Sequence, residues 1–105
     1  MTARGESDSL LEWLQEWYAR QCDGDWEHQY GVTIDTLDNP GWRVKIDITD
    51  TVLAGQSLER VRVDNSETDW LFYWVENDRF EAVGDPTKLS TILEIFRLWA
   101  ESIGA

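Results

Sequence analysis

The sequence predicts an α+β fold, an antiparallel sheet of about five strands flanked by an N-terminal and a C-terminal amphipathic helix. Three observations predict it. Apolar residues recur with helical spacing at both ends of the chain, they alternate with a period of two through the middle, and clusters of Gly, Pro, Asn and Asp separate the alternating runs. The simplest layering puts both helices on one face of the sheet.

The first helix rests on Leu10, Trp13, Leu14 and Trp17, at i, i+3, i+4 and i+7, with Leu11 and Tyr18 widening the stripe. Glu12, Gln15 and Glu16 fall on the other side. Ser9 and Glu12 have capping-box spacing, Arg20 suits the C-terminal end of the helix dipole and Asp23-Gly24 supplies a stop, so the helix spans about residues 9–22. Residues 1–8 then form a flexible lead-in to a single domain.

From Trp26 the period changes to two. Trp26, His28, Tyr30, Val32 and Ile34 share one parity against Glu27, Gln29, Thr33 and Asp35, which predicts a half-buried strand. Beyond Asp38-Asn39-Pro40-Gly41, a second alternation sets Trp42, Val44, Ile46 and Ile48 inward and Arg43, Lys45, Asp47 and Thr49 outward, completing a hairpin. Directly paired residues share a face, and the apolar residues of both strands are even-numbered, so the connection must hold an odd number of residues. Either three residues connect the strands (Asn39 to Gly41, Ile34 opposite Ile46) or five (Leu37 to Gly41, Ile34 opposite Val44).

Further strands are expected at about 58–64, 69–76 and 79–83, divided by Asp64-Asn65-Ser66-Glu67 and Glu76-Asn77-Asp78, and they extend the hairpin as a meander. Trp70-Leu71-Phe72-Tyr73-Trp74-Val75 is apolar on both parities, so that strand is either covered on both faces or uncovered on one. Asp85 reads as an N-cap with Pro86 at the first helical position. Leu89, Ile92, Leu93, Phe96, Trp99 and Ile103 then keep helical spacing as far as Gly104.

Composition narrows the function classes. Nine Lys and Arg against 21 Asp and Glu give a net charge of −12 over 105 residues, which argues against phosphate-backbone binding and favours a basic protein partner. Seven tryptophans supply both core volume and candidate anchors for an interface. Cys22 is the only cysteine, which excludes an intrachain disulfide and a thiolate-rich zinc site. No N-terminal apolar core of a signal peptide is visible, and no apolar run approaches the roughly 18 residues of a membrane span. A cytoplasmic protein without membrane contact is expected.

The segment Gln21 to His28 gathers a thiol, carboxylates and the only histidine, and invites a metal or catalytic reading. A calcium loop fails because glycine comes second from Asp23 rather than sixth, and Ile34 stands where a bidentate Glu belongs. A transition-metal site lacks a second histidine, and strand alternation sends Glu27 and His28 to opposite faces. A Cys22–His28 nucleophile pair has the wrong electrostatics, because the C-terminus of a helix raises a thiol pKa. Neither a metal, a cofactor nor a catalytic residue is expected.

Taken in order, Leu14-Gln15-Glu16-Trp17-Tyr18, Gln21-Cys22-Asp23-Gly24-Asp25-Trp26-Glu27-His28 with Tyr30-Gly31, and Thr36-Leu37-Asp38-Asn39-Pro40-Gly41-Trp42 resemble the immunity protein 53 family, over about residues 10–103. The resemblance implies a small cytoplasmic bacterial protein, encoded beside a polymorphic toxin, that binds this cognate toxin and blocks it. A basic toxin would be drawn to the acidic surface. The partner-binding residues then expected are Asp23, Asp25, Glu27, Asp35, Asp38 and Asp47 as acidic contributors, with Trp26, His28 and Trp42 as anchors. Trp42 fits a core role as well. A small-ligand or regulatory domain, with an aromatic pocket between sheet and helices built on Trp70, Phe72 and Trp74, is the alternative.

Overall fold

The structure, a computed structural model, describes residues 6–105. Its elements are α1 (Glu6–Gln21), a short 3-10 turn (Trp26–His28), β1 (Val32–Leu37), β2 (Gly41–Asp47), β3 (Leu58–Ser66), β4 (Asp69–Glu76), β5 (Arg79–Gly84) and α2 (Leu89–Ile103). The α+β class and the helix at each end are as the periodicities predict. No helix among the described residues is long and apolar enough to cross a membrane.

Alternation fixes the register of the first hairpin. Ile34 lies opposite Val44, the register of the five-residue alternative, and pairing continues to Leu37 opposite Gly41, so that only Asp38-Asn39-Pro40 turn the chain. The meander expectation needs correction, because the sheet order is β1-β2-β5-β4-β3. β3, β4 and β5 form a meander of their own, and its last strand, not its first, pairs antiparallel with β2. The chain between β2 and β3 crosses the end of the sheet, where Ile48 N–H donates to the Asp78 carbonyl at 2.9 Å and Gly55 N–H to the Asp78 carboxylate at 2.8 Å. Asn77 and Asp78 both take positive φ, as a tight hairpin with the right-handed strand twist requires.

Both helices lie on one face. Beneath them are Val44, Ile46, Leu71, Val75, Phe80 and Ala82, all buried, covered by Leu10, Leu14 and Trp17 of α1 and Ile92, Leu93, Phe96 and Ala100 of α2. Aromatic edges fill the centre. Phe96 meets Trp17 and Phe80 at 5.2 Å each and Trp13 at 5.9 Å, in the T-shaped arrangements that ring quadrupoles favour. Gly104, in the left-handed region at φ 110°, caps α2 by donating to the carbonyls of Ala100 and Glu101.

Three local expectations are corrected. α1 begins at Glu6, so Ser9 sits inside it rather than capping it; the part of the expected flexible lead-in at residues 1–5 lies outside the described residues. Trp26 to His28 form a 3-10 turn instead of opening a strand. Asp23 Oδ1 accepts from the N–H groups of Asp25 and Trp26, while the Glu27 carboxylate accepts from those of Asp23 and Gly24, and these local bonds hold the backbone bent. The third concerns Asp85. It does not cap α2, which starts only at Leu89 behind Lys88, because its carboxylate is committed to other donors.

Those donors make Asp85 the pin between sheet and helix. It is fully buried. One carboxylate oxygen accepts from Trp70 N–H at 2.9 Å and from Lys88 Nζ at 2.6 Å; the other accepts from Thr87 N–H at 2.8 Å and Thr87 Oγ1 at 2.6 Å. Lys88 also reaches Asp69 at 2.8 Å. Burial pushes the Asp85 carboxyl up, but the bonds from Lys88, Thr87 and Trp70 outweigh it and hold the group well below the usual carboxylate range. Lys88, flanked by Asp69 and Asp85, is raised in turn.

The β2–β5–β4 junction depends on Gly41. A Cβ there would collide with the Gly84 carbonyl oxygen and sit 3.3 Å from the Trp70 ring. Gly41→Ala should therefore destabilise the protein by about 1–3 kcal/mol in urea unfolding, the usual cost of overpacking. Asp85→Asn should lower Tm at pH 7. A carboxyl held below its ordinary value of 3.8 contributes stability that is complete above that value and is lost as pH falls through the lower folded-state value, so the Tm difference from the wild-type protein should narrow below about pH 4.

Candidate protein interface

Helices cover one face of the sheet, and among the described residues the other is open. On that outer face lie Trp70, Phe72 and Trp74 of β4, the parity opposite to buried Leu71 and Val75. The strand is thus central, between β3 and β5, and uncovered on one side. The three rings are half-buried, because neighbouring side chains spread over them. Arg60 places its guanidinium 4.1 Å from the Trp74 ring centroid and Arg62 stands 5.2 Å from that of Phe72. An aromatic pocket between sheet and helices, expected from these residues, is excluded by their direction.

At the end of this face, near the Asp38-Asn39-Pro40 turn, a cleft of about 660 Å³ opens over Trp70 and Phe72, whose centroids are 5.8 Å apart. Pro40 and Pro86 wall it on one side, and the exposed carboxylates of Asp64 and Glu67 stand on the other. Asp85 also borders it, but its charge is met by Lys88. An aromatic floor beside carboxylates suits a cationic side chain. Arg62 displays that chemistry within the chain, over Phe72 with its Nη2 3.8 Å from Asp64.

The residues singled out from the sequence do not form one site. Asp23, Asp25, Glu27 and His28 gather at the turn after α1, where Asp23 and Glu27 bind backbone N–H groups and the bonds from Trp26 and Asp25 hold the Asp23 carboxyl below its usual range. Trp26 is core, 4% exposed, and donates its indole N–H to the Thr49 carbonyl at 2.8 Å. Asp47 accepts from Gly31 N–H and pairs with Arg79 at 3.1 Å. Asp35, on β1, and Asp38, in the turn of the first hairpin, are exposed, and neither lines the cleft. Trp42 is half-buried between α1 and α2, its indole N–H donating to the Pro86 carbonyl at 3.0 Å.

Sequence reasoning missed Asp64 and Glu67, which read as turn residues, and the stacking of Arg60 and Arg62 on the aromatic row. The one signal for the cleft was the strand apolar on both parities. Among the described residues no group of three His, Cys, Asp or Glu side chains is placed to hold a metal ion, and His28 and Cys22 are not brought into contact by any hydrogen bond.

Comparison with known proteins adds a family. The model for immunity protein 53 matches residues 11–101, from the second residue of the α1 stripe to the last turns of α2. No curated protein and no solved structure matches the sequence. With the match spanning every strand, most of α1 and nearly all of α2, the chain belongs to the immunity protein 53 family.

Proposed function

We propose that this protein binds a cognate bacterial toxin and neutralises it without catalysing a reaction. Membership of an immunity family carries the reading. The net charge of −12 supports a toxin with a basic surface, whose approach the field of the whole chain would accelerate. In this reading the cleft over Trp70 and Phe72 takes a Lys or Arg side chain of the toxin, with Asp64 and Glu67 as counter-charges. Asp25, Asp35 and Asp38, all exposed, add to the attraction.

The charge reading predicts that the rate of association with the toxin falls at least about tenfold between 50 and 500 mM salt, while dissociation changes much less; stopped-flow binding measures both. The cleft reading predicts that the double substitution Asp64→Lys with Glu67→Lys weakens the complex on the order of 100-fold with Tm unchanged. Phe72→Ala should cost about 2 kcal/mol of affinity, the scale of a buried aromatic contact. Retention of full affinity by both variants would remove the cleft from the interface and leave the toxin to bind elsewhere.

A further inference from the structure

The two edges of the sheet are built differently. β3 carries Glu59, Arg60, Arg62 and Asp64, and its pairing with β4 shifts register twice, between Leu58 and Val61 and between Asp64 and Ser66. Charges and bulges are the means by which an edge strand is kept from pairing with another chain. β1, Val-Thr-Ile-Asp-Thr-Leu, has neither in quantity. It pairs with β2 without a shift from Val32 to Leu37, holds no proline or lysine, and Asp35 is its sole charge.

The hydrogen-bond phase of β1 follows from one bond. Asp47 N–H donates to the Gly31 carbonyl at 3.0 Å, in the same register as the ladder. Bonded pairs alternate in an antiparallel ladder, so Thr33, Asp35 and Leu37 make the bonds to β2, whereas Val32, Ile34 and Thr36 turn N–H and C=O towards the open edge. Among the described residues nothing pairs with them there.

The same three residues point their side chains to the helix side, and α1 stops short of covering them. Ile34 is 40% exposed, and Leu11 and Tyr18 of α1 stand 47% and 39% exposed. A cavity of about 320 Å³ opens between Leu14, Tyr18 and Val32, and another of about 350 Å³ between Leu11 and Trp42. Strand addition at this edge finds backbone partners at every second residue and apolar recesses for side chains of one parity.

Charge selects the occupant. A second copy would set −12 against −12 and bring the two Asp35 carboxylates to one face of the new ladder within about two positions of each other, which like charges oppose. A strand with Lys or Arg on the parity beside Asp35 meets the opposite situation. We propose that the open edge of β1 accepts an extended strand of the toxin, apolar residues towards Leu11, Tyr18 and Ile34 and basic residues towards Asp35. The inference rests on the neutralisation reading and gives it a docking mode.

The test is Ile34→Pro, which removes an outward N–H that the β1–β2 ladder does not use, beside Ile34→Val, which keeps it. Affinity for the toxin encoded beside this gene is measured by calorimetry, and amide exchange is followed on the wild-type complex by NMR. Expected are a loss on the order of 100-fold for the proline variant with little change for the valine variant, and new protection of the Val32, Ile34 and Thr36 amides. Toxin binding without protection of those three amides overturns strand addition while neutralisation stands, whether or not the proline variant folds. Failure of the wild-type protein to bind the toxin at all overturns the neutralisation reading, and the docking mode with it.

Discussion

The ladder between β2 and β5 joins two units that would otherwise bury little. The β1–β2 hairpin has one apolar face and the β3–β4–β5 meander another, and a two-stranded hairpin alone is marginal in water. Pairing Val44 with Ala82 and Ile46 with Phe80 makes their apolar parities one continuous surface, broad enough for two helices. Trp17 and Phe96, from opposite ends of the chain, then meet edge to face above it. The close approach of Gly41 and Gly84 and the buried Asp85 carboxylate secure the end of this seam, so backbone, packing and electrostatics converge on one junction.

Much of the fold was legible because it is written in periods. Helical spacing in 10–17 and 89–103 and alternation in 42–48 identify elements whose inward residues are buried or half-buried, and parity alone reduced the hairpin register to two alternatives. What period does not encode is which strands become neighbours. β3 follows β2 in the chain yet lies at the opposite edge, a non-local choice made by burial of whole faces. Around Trp26 the alternation was real but overruled, since carboxylates of Asp23 and Glu27 bond to backbone N–H groups and favour a turn over a strand. At Asp85 the capping signal was overruled by burial against β4, where the carboxylate takes the N–H of Trp70, a donor that local sequence does not supply.

The candidate interface was less legible than the fold. In a chain with 21 acidic residues, acidity distinguishes none of them, and Asp23, Glu27 and Asp47 prove occupied with local bonds. Trp26 carried the strongest motif and is core. The informative sequence feature was an excess, not a motif. A strand apolar on both parities inside a sheet covered on one side must present a row of rings to the outside, and the row Trp70, Phe72 and Trp74 does so, with the guanidinium groups of Arg60 and Arg62 over Trp74 and Phe72.

The unlike edges of the sheet also bear on how this molecule can associate. Open-ended polymerisation by strand pairing needs two receptive edges on each molecule, one to add to the last subunit and one to receive the next. With bulges and charges along β3, only the β1 side remains receptive. Strand pairing therefore terminates after a single addition, and the protein can be abundant without growing into fibrils through its sheet.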